Sequence, residues 1–352
     1  MAGRSTPFGE ESHGRTHRGS TPAVRVGPPL DTGERPVTVS IAVIGAGYMG
    51  TNHARVLSSL PGARLAAIVD SDAAKARAVA AEFGSAHAAS IDDVDGEVDA
   101  AVVATPTETH RSIAVDALGR GWHVLVEKPF APSVEEAEEI VQAADDAGGT
   151  LAVGHIERFN PASLDLPRYV TAPLFIQSRR LSPYTDRGEE GVVLDMMIHD
   201  VDLILWLARS EPVRVNADVS ASRSDTEDLA VATVVFRSGL VAHMTATRIG
   251  QDKVRQVDIL QPESMVNVDL LRQDITIRRQ ATAEYLGTGV RRLKEASVME
   301  IPYLEHRGEP LWLELQDFVE AVGSGRQPLV DGHAGVAALA LCKRILEAAK
   351  QD

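Results

Sequence analysis

Among its 352 residues the chain has one cysteine, Cys342. A lone thiol in an apolar C-terminal run excludes an intrachain disulfide and a cysteine-based zinc site, and it fits a reducing cytoplasm. Long apolar runs are missing too: no stretch of 18 uncharged apolar residues occurs, so no transmembrane helix is expected. Positive charge is in the minority, with 35 Lys and Arg against 50 Asp and Glu and a formal net charge of −15. That balance argues against broad attraction to nucleic acid or an anionic membrane. It leaves room for a phosphorylated ligand, which needs only a few local donors. Residues 1–36 lack apolar periodicity and the apolar centre of a signal peptide. Their Gly, Pro, Ser, Thr and Arg content reads as a disordered extension, or as sequence ahead of the true start. Five arginines against four acids leave that segment little charge for a basic docking arm.

What is present begins at Val37. The length predicts two domains, and a 44% apolar share suits ordinary globular cores. Short apolar, β-branched runs at 39–44, 64–70, 100–104, 123–126 and 150–153 alternate with helical segments at 49–60, 72–83, from about 107, and at 133–147. Such alternation predicts parallel βαβ units with helices on both faces. After about residue 156 the rhythm changes. One apolar helix, 193–208, precedes strand-like runs at 212–221, 228–237, 240–248, 254–260, 264–270 and 274–280, joined by hairpin-length turns. The expected architecture is therefore α/β: a doubly wound parallel Rossmann sheet at 37–156, then an α+β domain with a large, mostly antiparallel open sheet at 157–352. Helices at 310–322 and 334–349 close the chain and can pack back on the first domain.

Gly45-Ala46-Gly47-Tyr48-Met49-Gly50 directly follows the first strand and opens a helix, and Asp70 stands 20 residues past Gly50 at the end of the second strand. A glycine triplet alone is a weak signal; the three placements together point to a dinucleotide turn. Gly45 permits the tight turn, Gly47 lets backbone approach a pyrophosphate, and Gly50 allows close helix–strand packing. Free amide N–H groups and the positive helix end then face the phosphates. Asp70 suits ribose hydroxyls and repels a 2′-phosphate, which favours NAD over NADP. An acid after a strand is also a common helix N-cap, a task for which Asp72 is better placed. A flavin, or a nucleotide without redox chemistry, would use the same turn.

Two further segments lie where open α/β sheets bind ligands, at the carboxyl ends of strands. They are Ala104-Thr105-Pro106-Thr107 and Glu127-Lys128-Pro129, which makes Thr105, Pro106, Glu127 and Lys128 candidates for the cofactor site. Lys128 could donate to a substrate hydroxyl or polarise a carbonyl; read alone, it is better taken as a surface lysine before a turn proline, since surface lysines are common. In Asp195-Met196-Met197-Ile198-His199-Asp200-Val201-Asp202, Asp195 and His199 are four apart and share a face of a regular helix. A buried histidine beside a carboxylate titrates near neutrality and can act as a general base; it can also be a satisfied core pair. Asp200 and Asp202 read as structural. Beyond Asp195, His199 and Asp202, no His, Asp and Glu cluster has ligand-like spacing, so no metal is expected.

Taken together, Gly45-x-Gly47-x-x-Gly50, Glu127-Lys128-Pro129 and Asp195-x-x-x-His199 resemble the glucose–fructose oxidoreductase/inositol dehydrogenase/MocA family. The resemblance runs from Val39 to Ala349. Gly154-His155-Ile156-Glu157-Arg158-Phe159-Asn160-Pro161, Leu194 to Asp202, Thr245-Ala246-Thr247-Arg248 and Ile259-Leu260-Gln261-Pro262 are similar to its branch of UDP-N-acetylglucosamine 3-dehydrogenases. The resemblance implies NAD-dependent oxidation of a sugar hydroxyl to a ketone, with Lys128, Asp195 and His199 at the catalytic positions. It also implies a homo-oligomer, dimer or tetramer. In that scheme His199 takes the hydroxyl proton, Asp195 orients its ring, and Lys128 holds the oxygen. His155, Arg158 and Asn160 are expected to contact substrate, although Arg158 reads equally as an interdomain salt bridge. Arg180 and Arg187 are candidates for a nucleotide diphosphate. Within the family, an inositol or free-sugar dehydrogenase or a 3-ketosugar reductase is the alternative; outside it, a non-catalytic NAD-binding sensor. Intact Lys128, Asp195 and His199 and the lack of a basic helix weigh against a sensor.

Overall fold

The first strand, β1 (Val39–Ile44), is buried at every position, as a central parallel strand covered on both faces must be. In a computed structural model that describes residues 38–185, 190–287 and 290–350, with the side chains of 281–296 outside that description, the chain alternates as expected. After β1 come α1 (Tyr48–Leu57), β2 (Ala63–Val69), α2 (Ala73–Phe83), β3 (Ala86–Ala88), β4 (Ala100–Val103), α3 (His110–Gly119), β5 (His123–Glu127), α4 (Val134–Ala147) and β6 (Leu151–Gly154). These strands form one parallel sheet in the order β3-β2-β1-β4-β5-β6. Its connection reverses beside β1, and a dinucleotide binds in the crevice at such a reversal. Asp72 caps α2 by accepting from the Ala74 and Lys75 amides, the task the sequence assigned to it.

The second layer system follows α5 (Pro161–Asp165). It comprises β7 (Phe175–Leu181), α6 (Ile198–Ala208), β8 (Pro212–Ser220), β9 (Leu229–Phe236), β10 (Val241–Thr247), β11 (Val254–Leu260), β12 (Met265–Asp269), β13 (Asp274–Gly287) and β14 (Val290–Glu300). Its eight strands run in the order β14-β13-β12-β11-β7-β10-β9-β8, with only the β7–β10 pair parallel. Burial alternates strictly along β9, so one sheet face is core and the other is left open. Residues of α6 and of the last helix, α8 (Gly332–Ala348), fill the core face, among them Val201, Ile204, Leu341 and Ile345.

The remaining helix, α7 (Pro310–Ser324), packs with Leu311, Leu315 and Phe318 in the core shared by α1 and β1. Beyond it, the Val153 amide donates to Val330 O at 3.1 Å, which brings the start of α8 against β6. Chain from after the second sheet thus returns to the first. Three strands were not read from the sequence: β3, β7 and β14. The first has three residues, and β7 reads Phe-Ile-Gln-Ser-Arg-Arg-Leu, in which adjacent arginines break the apolar alternation.

Candidate active site

The glycine turn has the geometry its spacing requires. Gly45 has φ +102°, and a Cβ on it would lie 2.4 Å from Ala104 O. A Cβ on Gly50 would stand 1.7 Å from Gly45 O, so the helix can approach the strand only without one. Gly47 differs: no atom lies within 4 Å of its Cβ position. The space beside it opens into the cleft where Tyr48, Met49 and Gly50 begin α1, whose first amides have no intrahelical acceptor. Open space together with free donors fits a pyrophosphate. Asp70 accepts from the Ala46 amide at 2.7 Å and from the Asp72 amide at 2.8 Å, which ties its carboxylate to the turn it follows.

A cavity of about 1130 Å³ extends from this turn along the carboxyl ends of the strands. Asp70 and Ser90 line one end; Thr105 and Pro106 lie along its course, and Glu127, Lys128, His199 and Arg255 line the other. Lys128 is held there by two hydrogen bonds of 2.8 Å from Nζ, one to Asp195 Oδ1 and one to Asp195 O. His110 braces the floor, its ring lying between Thr105 O (2.9 Å) and Pro129 O (3.0 Å).

Asp195 is not hydrogen-bonded to His199, contrary to expectation. Residues Val193–Met197 form a π-helical turn before α6. The Asp195 carboxylate there turns to Lys128 instead. The Nδ1 atom of His199 is buried and has no hydrogen-bond partner among the described residues. Burial holds the His199 pKa well below the ordinary histidine value, and the nearby charges of Arg180 and Lys128 push the same way. The ring is therefore neutral at pH 7, without a carboxylate beside it.

The expected substrate-contacting residues mostly belong to the scaffold. Arg158 is buried and pairs with Asp202, Nε donating to Oδ2 at 3.0 Å, and its Nη1 reaches Leu329 O at 3.4 Å. Arg158 does form a salt bridge, but within residues 157–352 rather than between the two expected domains. Asn160 caps α5 through the Ala162 amide and donates to Leu270 O at 2.8 Å. Arg180 is also buried, its donors taken by Asp200 at 2.9 and 3.0 Å and by Glu157 at 2.9 Å. Burial works against its charge, but those carboxylates outweigh it and raise its pKa. Buried at 3% exposure, bound to two carboxylates and away from the cavity lining, Arg180 is not placed to meet a diphosphate. His155 is 1% exposed, and neither ring nitrogen has a partner among the described residues. Arg187 lies outside the described residues.

Other residues at the site were not read from the sequence. Arg255, from β11, lines the cavity and gives Nη1 to Glu157 at 2.9 Å. His53, three residues past Gly50, donates or accepts through Nε2 with Glu127 Oε1 at 2.7 Å. Glu314 of α7 completes with them a buried group whose ligating atoms lie within 4.8 Å of one another, the one such group of three among the described residues. Asp195, His199 and Asp202 form no such cluster. The spacing of Gly50 and His53 on α1 was the one available signal; nothing local marks Arg255 or Glu314.

A Rossmann sheet with an open phosphate turn, and a lysine beside a neutral histidine at the far end of its cleft, define a nicotinamide-dependent oxidoreductase. Residues 39–155 match the family model for the oxidoreductase family with an NAD-binding Rossmann fold, and residues 164–260 match the GFO/IDH/MocA C-terminal domain. The chain belongs to the GFO/IDH/MocA family, and its first sheet is an NAD-binding domain. UDP-N-acetylglucosamine 3-dehydrogenase from Acidithiobacillus ferrooxidans is 35% identical over 312 residues, covering 88% of this chain and 94% of that protein. A solved structure of that enzyme superposes with a TM-score of 0.80 at 33% identity, covering 89% of this chain and 98% of the other. The scyllo-inositol 2-dehydrogenase (NAD(+)) of Bacillus subtilis is 28% identical over 318 residues, covering 83% and 88%.

Proposed function

We propose that this oxidoreductase oxidises a secondary hydroxyl of a sugar to a ketone, the sugar being a nucleotide sugar and the position C3. The observation that carries the chemistry is the meeting of Lys128 and neutral His199 at the end of the cofactor cavity. Bound NAD would supply the hydride acceptor. A neutral imidazole keeps a lone pair, so His199 accepts the hydroxyl proton as the carbinol hydrogen departs. An ammonium has three N–H bonds; Asp195 takes two, leaving one on Lys128 to hold the substrate oxygen and offset its developing charge. Asp195 is thus the anchor of the lysine. The choice of a nucleotide sugar is supported by the similarity to UDP-N-acetylglucosamine 3-dehydrogenase, which runs through both sheets. Residues 37–156 then form the cofactor domain and 157–352 the substrate domain, with the protein working in the cytoplasm.

Replacing Lys128 by Met or His199 by Asn should lower turnover by about 10²–10⁴-fold, the usual contribution of a positioned acid or base. NAD affinity, read by calorimetry, should stay near that of the parent. Unchanged turnover in both variants would exclude this mechanism.

A further inference from the structure

Next to Lys128, where Glu127 meets the cavity wall, three ionisable side chains converge in the core. His53 comes from α1, Glu127 from the end of β5 and Glu314 from α7; they are 0%, 6% and 2% exposed. Glu127 is well supplied with donors. Its Oε1 meets His53 Nε2 at 2.7 Å, and its Oε2 accepts the backbone amide of Lys128 at 3.1 Å. Glu314 is not: both of its carboxyl oxygens are buried with no hydrogen-bond partner among the described residues, although they point into the same group. A fully buried carboxylate with no donor, beside a second carboxylate, is among the costliest arrangements a core can hold. One proton removes the conflict. Carried by Glu314, it turns an acceptor-only group into a donor facing the Glu127 carboxylate, directly or through a single buried water.

We propose that Glu314 is a positioning residue for Lys128, donating one proton into the buried group it forms with Glu127 and His53. Glu127 then receives three donors: the His53 ring, the Glu314 carboxyl and the Lys128 amide. The last of these fixes the backbone from which the Lys128 side chain reaches Asp195 and the substrate oxygen. The group ties together the glycine-turn helix, the catalytic strand end and a helix that returns from beyond the second sheet. Its role in turnover rests on the reading of Lys128 as the residue that holds the substrate oxygen; the protonation of Glu314 does not.

The electrostatics agree. Burial, the Glu127 charge and Asp317 raise the Glu314 pKa well above its ordinary value. Burial also opposes ionisation of Glu127, but the His53 bond, the Lys128 charge and the Lys128 amide together lower its pKa. The charged and titratable groups on the elements packed around Glu314 are few. They are Tyr48, His53 and Arg55 on α1, His123, Glu127 and Lys128 at β5, Glu157 and Arg158 in the turn after β6, and Asp317 and Glu320 on α7 itself. Arg55 is paired with Glu309, Arg158 with Asp202 and Lys128 with Asp195, so none of these three is free to neutralise Glu314; His53 spends Nε2 on Glu127, and its Nδ1 is buried without a partner among the described residues.

The test compares Glu314→Gln with Glu314→Leu in the full-length enzyme. An amide keeps one donor and no charge, so Glu314→Gln should hold kcat within about twofold of the parent. It should also remove the fall in rate with rising pH that loss of the Glu314 proton is expected to cause in the parent. Glu314→Leu, with no donor, should lose ~10- to 100-fold in kcat through displacement of Lys128, with NAD affinity changed less than about twofold. Difference infrared spectra of parent against Glu314→Gln give a readout independent of turnover: a protonated carboxyl band at pH 7, absent from the variant. A missing band would overturn the proposal, as would a Glu314→Leu variant with parental kcat and pH profile. So would a stoichiometric metal ion in the purified parent that Glu314→Gln loses. If the infrared band is present but Lys128→Met retains turnover, the catalytic reading fails and the protonation of Glu314 stands.

Discussion

Arginine roles show most clearly what burial adds to residue identity. Arg158 and Arg180 have the right chemistry for a sugar phosphate, and both have spent it on carboxylates inside the core. Removing one partner of such a pair leaves the other charge buried alone, at a cost of roughly 3–5 kcal/mol. Arg158→Ala should therefore lower the unfolding free energy by about that amount in urea titrations. A substrate-binding arginine would behave differently, raising KM while leaving stability near the parent's. Whether a charged side chain faces solvent or core depends on packing from distant segments, here Asp202 on α6 and Leu329 before α8, so sequence alone left both roles of Arg158 open. Arg255, which does face the cavity, carries no local mark at all. Lys128 was legible because strand ends in a parallel sheet are where ligands bind. Its Asp195 anchor was misread because a four-residue spacing to His199 says nothing of the lysine, 67 residues away, that takes the carboxylate.

At the scale of elements, the strand–turn–helix at 39–57 was the most legible part of the chain, because each glycine answers a separate steric demand. Those demands separate stability from binding. Gly50→Ala places a methyl 1.7 Å from Gly45 O and should destabilise the fold, seen as a lower melting temperature. Gly47→Ala meets no protein atom within 4 Å, so its melting temperature should match the parent's while its affinity for NAD falls. Equal NAD affinity in Gly47→Ala would show that the cofactor's phosphates do not pass there. The parallel strands were readable from continuous apolar runs, and the half-buried strands of the second sheet from alternation. β7 escaped because its buried face carries the polar Ser178 and Arg180 beside Ile176, which hides the alternation, yet it sits at the centre of its sheet.

For the whole molecule, the two sheets have different jobs: one faces helices on both sides, the other keeps one face open. That open face is polar, with Arg179, Asp258, Asn267 and Arg278 around a cavity of about 470 Å³. We propose that it joins copies of the chain into a dimer or tetramer, an expectation supported by its extent over eight strands. Light scattering should give two or four times the chain mass of 37.7 kDa, and a mass that stays monomeric at micromolar concentration would contradict it. Among the described residues no helix is long and apolar enough to cross a membrane. Substrate choice is the property of the whole assembly that matters most, since cofactor turn, lysine, histidine and second sheet all converge on one cavity. The most direct measurement is the absorbance of reduced cofactor when the protein and NAD are incubated separately with UDP-N-acetylglucosamine, myo-inositol and free sugars. Reduction with the nucleotide sugar, accompanied by a ketone at C3, is the predicted result; reduction with inositol or a free sugar while the nucleotide sugar stays inert would contradict it.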